Sequence, residues 1–285
     1  MNKLILFVFS FSLLSCAGHS GSRSDIRSKG ENLLSNGVLY YQKDNFPAAQ
    51  QNFYRALVHY QSIDHAKRVQ LARINYTESL LALNGFDAAE EQLALLKTNN
   101  EKGKTASLLE DRVVMLEVKL LFQKQQYPEA LVVIEPLLVQ IEQQESNKKR
   151  LDLLATAARL EVLNAEKPAN QWEARYRELL LEEKNKQPKY TVILKRIDAV
   201  IATQNKQYND ALKLLHSALV YYKEQANRRA IATCLEEIAD IEFKQQHYPQ
   251  AIDYLKKALS IRIWLKDQYH IEEIQKKIRQ VNNLS

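Results

Sequence analysis

Six glycines and six prolines in 285 residues leave little material for the tight turns and left-handed backbone on which β-meanders and phosphate-cradling loops depend. No Gly-x-Gly-x-x-Gly, no phosphate loop and no Gly-x-Ser-x-Gly elbow occurs. Histidine is equally sparse: His19, His59, His65, His216, His247 and His270 include no pair three or four residues apart and no His-Glu-x-x-His, so the spacing of a zinc site is missing. Neither metal, cofactor nor enzymatic activity is therefore expected. Charge of one sign is not concentrated anywhere. The formal +6, one unit of it from Lys3, is spread with acids and bases intermixed, and no Lys/Arg block carries interleaved aromatics, which argues against nucleic acid as a partner. A long apolar run is also lacking, since the stretch Leu4 to Leu14 is too short to span a bilayer.

That stretch follows Met1-Asn2-Lys3 and ends at Ser15-Cys16, the layout of a secretory signal. Leu13-Leu14-Ser15-Cys16 resembles the bacterial lipobox, whose implication is cleavage before Cys16 and acylation of that cysteine. Two or three acyl chains hold a protein durably on a membrane, at about 0.8 kcal/mol per buried methylene. Ala17, where an inner-membrane lipoprotein of enteric bacteria would carry Asp, implies by the same resemblance the outer membrane, periplasmic face, of a Gram-negative source. With Cys16 given to lipid, Cys234 has no partner for an intramolecular disulfide. Its neighbours Ile231, Leu235 and Ile238 at helical spacing make it a buried, inert thiol. Residues 1–15 are thus read as a signal peptide and 16–30, small and polar, as the lipidated cysteine and a flexible tether.

What the chain does have is helical periodicity and self-similarity. Leu, Ala, Glu, Lys and Gln dominate residues 31–285. Phe46, Phe86, Tyr127, Tyr208 and Tyr248 are each followed three residues later by alanine, at Ala49, Ala89, Ala130, Ala211 and Ala251. The aromatics are separated by 40, 41, 81 and 40 residues, so a degenerate unit lies between Tyr127 and Tyr208. Pro168 stands 40 residues after Pro128, and Trp172, Tyr176 and Leu179 fill that unit's core in altered register. Units near 31–62, 66–98, 105–143, 147–186, 190–225 and 228–262 follow, with 264–284 as a capping helix built on Ile271, Ile274, Ile278 and Val281.

Leu33, Asn36-Gly37, Tyr40, Ala49, Phe53 and Ala56, with Leu235, Ala239, Tyr248, Ala251, Leu255 and Ala258 in the last unit, resemble the large, small and aromatic order of the tetratricopeptide repeat (TPR). Pro47, Pro128 and Pro249 follow the aromatic at the start of a second helix, where a missing amide hydrogen costs nothing. The departures are a period near 40 instead of 34, Leu96 and Leu137 in place of small residues, and Gln61 where a closing proline is usual. The resemblance implies an all-α, TPR-like superhelix of about six helix pairs.

It further implies a concave wall made of the first helices, carrying Leu34, Val38 and Tyr41; Ile74, Asn75 and Glu78; Arg112, Met115 and Lys119; Arg196, Val200 and Thr203; and Glu236, Asp240 and Phe243. Leu34 and Val38 replace the Lys-Asn clamp that reads a terminal carboxylate in chaperone-tail binders. The mixed wall suits an extended peptide or a partner helix. The acids Glu236, Glu237, Asp240 and Glu242 lie along one helix and read as a solvated face. The function expected is a membrane-anchored, non-catalytic scaffold for a protein partner in the periplasm, within an assembly, secretion or cell-wall machine. The alternative is a regulatory subunit of a peptidoglycan synthase or hydrolase.

Overall fold

The computed structural model describes residues 20–101, 107–141, 147–164, 171–183 and 187–283. The signal-like segment, Cys16 and Pro168 lie outside the described residues. Among the described residues the chain is helical and without strands. The helices are α1 (Ser20–Gln42), α2 (Phe46–Ser62), α3 (Ala66–Ala82), α4 (Phe86–Glu101), α5 (Ser107–Gln123), α6 (Tyr127–Ile141), α7 (Asn147–Leu163), α8 (Gln171–Glu182), α9 (Pro188–Gln204), α10 (Tyr208–Glu224), α11 (Arg228–Lys244), α12 (Tyr248–Trp264) and α13 (Gln268–Asn282). They make six pairs and a cap.

The forty-residue beat has a local origin. Most helices run 17 residues, and eight of the connections are three-residue turns. Each turn holds one left-handed residue at its centre: Asp44, Asp64, Asn84, Gln125, Lys206, Ala226, Gln246 and Lys266. The turn after α10 is typical. Asn227 N–H donates to Tyr222 O at 3.0 Å and Ala226 N–H to Lys223 O at 3.0 Å, the Schellman pair that satisfies the last carbonyls of a helix. The residue after the left-handed one opens the next helix. Asn45, Asn227 and Asp267 each accept a backbone N–H three residues on with a side-chain oxygen. A chain so poor in glycine therefore turns at left-handed residues with side chains, at a steric cost of roughly 1–2 kcal/mol each, less for Asn and Asp.

All five alanines of the repeated couples are fully buried, and each paired aromatic is the first residue of a second helix. The alanines let the two helices of a pair approach, while the aromatics fill the crevice at the turn. Tyr41 with Phe46, Phe122 with Tyr127 and Phe243 with Tyr248 meet there, ring centres 5.1 to 5.8 Å apart. In the degenerate fourth pair the aromatic is missing. Instead the buried Glu161 carboxylate accepts the amides of Gln171, Trp172 and Glu173 at 2.8, 3.1 and 3.0 Å, closing the N-terminus of α8 with a fixed anion. Tyr176 and Leu179 are buried behind it and Trp172 packs at the margin.

Two boundaries differ from the sequence reading. The tether expected over 16–30 gives way to helix at Ser20. Its Gly30 is buried, and a Cβ there would lie 2.6 Å from the Tyr60 ring, so this small residue serves close helix approach. The cap starts at Gln268 instead of 264, because Trp264 closes α12 with its ring under the Arg228 guanidinium, 4.0 Å from the centroid. Ile274 and Val281 of the cap are buried as expected, covering the last apolar face.

The array bends until its early and late parts meet. Asn84 Nδ2 donates to Asp267 Oδ1 at 3.0 Å, and an Arg229 Nη donates to Ala82 O at 2.5 Å. The Arg229 guanidinium covers the Phe46 ring at 3.9 Å, and Phe86 meets Tyr269 at 5.7 Å. At this junction Asp267 is almost fully buried and also accepts from Arg262 at 3.0 Å and pairs with His270 Nδ1 at 2.9 Å.

Candidate binding site in the lumen

Bending forms an open lumen of about 600 Å³, and the helices facing it are mainly the first members of successive pairs. Ile74 and Glu78 come from α3; Arg112, Met115, Leu116, Val118, Lys119 and Phe122 from α5; Asp152, Ala155, Thr156 and Arg159 from α7; Lys189, Ile193 and Arg196 from α9; Tyr222 closes the wall from α10. The volume lies in the range of small-ligand and peptide pockets, and the lining joins apolar walls to a few charged groups.

Six residues expected on the concave wall line this lumen: Ile74, Glu78, Arg112, Met115, Lys119 and Arg196. Tyr41 and Asn75 stand beside them. Asn75 Oδ1 accepts from Arg112 at 2.8 Å, and Lys119 Nζ lies 3.5 Å from the Tyr41 hydroxyl. Burial, then Glu78, pushes the Tyr41 hydroxyl up. The others are elsewhere. Leu34 is buried in the first core cluster, Val38 is exposed, and Thr203 Oγ1 is spent on Ala199 O at 2.7 Å within its own helix. Val200 packs at the margin of the central core. Asp240 and Phe243 border a smaller hollow under α13, and Glu236 is bound by Arg262 at 2.8 Å.

Of the acids of α11, expected on a solvated face, Asp240 is exposed, but Glu236, Glu237 and Glu242 are largely withdrawn from solvent. Glu236 pairs with Arg262, Glu237 with Arg196, Asp240 with Lys277 at 2.7 Å, and Glu242 with His247 at 2.8 Å. Each side chain diverges to a different base, so the cluster is a set of bridges, three of them to other helices. Cys234 beneath them is fully buried, and burial pushes its thiol up to about 11, an inert group as expected.

Sequence reading missed α7 entirely as a contributor, because the fourth unit lacks the aromatic–alanine couple that sets the register. The structure places Asp152, Thr156 and Arg159 of α7 on the lumen. Charges there are mostly matched. Glu78 lies 3.6 Å from Arg112 and 4.0 Å from Lys119; Asp152 accepts from Lys189 at 2.9 Å and from the Tyr190 hydroxyl at 3.0 Å. Glu237 takes Arg196 in a two-pronged pair at 3.1 and 2.5 Å. Burial disfavours the Arg196 cation, yet Glu237 outweighs it and drives the arginine's pKa up. Burial and the neighbouring Arg196 bring the Arg159 guanidinium down to about 10, and burial lowers Lys119 as well.

Residues 199–263, from the end of α9 into α12, match the tetratricopeptide repeat family model. No curated protein matches the chain. Among solved structures, the apo form of RapI superposes with a TM-score of 0.52 at 15% identity, covering 89% of this chain and 72% of that one. A signal-transduction ATPase with a tetratricopeptide repeat sensor, from Pyrococcus horikoshii, gives 0.56 at 13% identity over 90% of this chain and 43% of its own. These likenesses concern the fold. Residues 199–263 thus match the tetratricopeptide repeat within an all-α, TPR-like solenoid of six helix pairs and a cap among the described residues.

Proposed function

We propose that the protein is a non-catalytic scaffold that binds a segment of a protein partner in its lumen, held at the periplasmic face of the bacterial outer membrane by lipid on Cys16. The observation that carries the binding reading is the lumen itself, about 600 Å³ lined by four successive first helices. Met115, Phe122 and Ile193 supply apolar contact, and Arg112 and Lys119 supply direction. No helix among the described residues is long and apolar enough to cross a membrane. The anchor rests on the lipobox-like Leu13-Leu14-Ser15-Cys16.

Crosslinking in intact cells, followed by mass spectrometry, tests the binding reading. Arg112→Glu reverses a lumen charge whose side chain is 40% exposed, so it should deplete the crosslinked partner while the melting temperature stays near that of the parent. Undiminished crosslinking would overturn a lumen site. Radiolabelled palmitate tests the anchor: label on the parent and none on Cys16→Ala supports it, and an unlabelled parent overturns it.

A further inference from the structure

Five cations at the lumen, Arg112, Lys119, Arg159, Lys189 and Arg196, face three carboxylates, Glu78, Asp152 and Glu237, and Arg159 is the cation without a hydrogen-bonded partner among the described residues. Glu78, Asp152 and Glu237 already hold Arg112, Lys189 and Arg196. Arg159 donates no hydrogen bond to any described residue. Its closest carboxylate oxygen is Glu237 Oε1 at 3.9 Å, turned to Arg196. The guanidinium lies 4.6 Å from the centre of the Phe122 ring, a cation–π contact that holds the group without using its N–H donors. Although α7 is central in the array, the Arg159 side chain keeps 36% of its surface accessible, and that surface faces the lumen. A cation held in place, partly withdrawn from water and with only a long ion pair to a carboxylate that Arg196 already holds is poised for an anion that comes with the ligand.

We propose that Arg159 receives a carboxylate of an acidic peptide segment, whose neighbouring apolar side chains lie against Met115, Phe122 and Ile193. This rests on the scaffold reading and names the chemistry of its partner. Arg159 has the Glu237 carboxylate beside it at 3.9 Å, which a singly charged carboxylate meets with less repulsion than a phosphate dianion would. The apolar lining calls for a carboxylate attached to a larger apolar body. The anchor differs from the terminal-carboxylate clamp whose positions Leu34 and Val38 occupy here, because Arg159 belongs to the unit with the displaced register.

The test is selection from a random octapeptide phage library on the full chain in mild detergent, then titration of a synthetic selected peptide. Asp or Glu should be enriched at one fixed position. Changing that acid to its amide should weaken binding about tenfold, as should Arg159→Gln, and the two together should cost no more than either alone. Additive losses would overturn the pairing. If Arg159→Gln melts far below the parent, the amide peptide on the parent chain decides, and an unchanged affinity overturns the proposal. Selected peptides without an acid refute the carboxylate and leave the scaffold reading standing; no selected peptide refutes both. Displacement by benzoate at concentrations equal to those of the peptide would replace the peptide with a small carboxylate and overturn the segment proposed.

Discussion

Replacing Asp267 by alanine should destabilise the fold more than any other single change at the junction of early and late helices. The carboxylate is 1% exposed and meets four groups: Arg262 Nη1 at 3.0 Å, Asn84 Nδ2 at 3.0 Å, His270 Nδ1 at 2.9 Å and the His270 amide at 3.5 Å. Breaking a buried pair by removing one partner costs about 3–5 kcal/mol, the lower end applying where the cation keeps another acid. Arg262 does keep Glu236 at 2.8 Å. Loss of the α13 cap adds about 1 kcal/mol, so Asp267→Ala should cost about 4 kcal/mol. At 2–4 °C per kcal/mol, the melting temperature at pH 7 should fall by about 8 to 16 °C. Asp267→Asn keeps an acceptor for the cap and for Asn84, and should lose about half as much.

The same carboxylate makes a prediction in pH. Burial alone would raise it, but the hydrogen bond and charge of His270, then Arg262 and Arg229, win and hold it below the ordinary aspartate value. A depressed folded value means that the contribution is complete above the unfolded value of about 4 and vanishes as pH falls through the folded one. The gap between parent and Asp267→Ala should therefore narrow in acid. Circular dichroism melts at 222 nm from pH 7 down to pH 3 read both effects. A shift under about 2 °C at pH 7, or a gap that widens on acidification, would refute the assignment.

Ala226 sits at φ 48°, so Ala226→Gly should stabilise by about 0.5–1 kcal/mol, the relieved backbone exceeding glycine's added entropy. A lowered denaturant midpoint would contradict that. Gly37→Ala places a Cβ 2.4 Å from the buried Phe53 ring. Overpacking of about 1–3 kcal/mol should outweigh alanine's helical advantage of about 1 kcal/mol, so the urea midpoint should drop.

The regular parts of the molecule were legible because each repeated couple answers a local packing need. Ala49, Ala89, Ala130, Ala211 and Ala251 are small where helices cross, and the aromatics before them plug the turns, so spacing alone placed the pairs. Arg159 was not legible, since the fourth unit replaces its couple by the Glu161 cap, and no register could be carried onto α7. The acids of α11 misled for a related reason. Helical spacing told that they spread apart, yet nothing local told that Arg196, Lys277 and Arg262, from other helices, receive them. Residues 20–30 misled because small polar composition reads as flexibility, whereas Gly30 is small in order to admit Tyr60.

An open repeat array is a one-dimensional object in which a perturbation fades over neighbouring units. Here Asn84 touches Asp267 across 183 residues of sequence, so the chain closes on itself. Trimming α13 would then release the α3–α4 turn as well as the adjacent α12. Fraying, which usually begins at a terminus and moves inward, would have to open this clasp first, giving the late helices a resistance to exchange that their own packing does not supply.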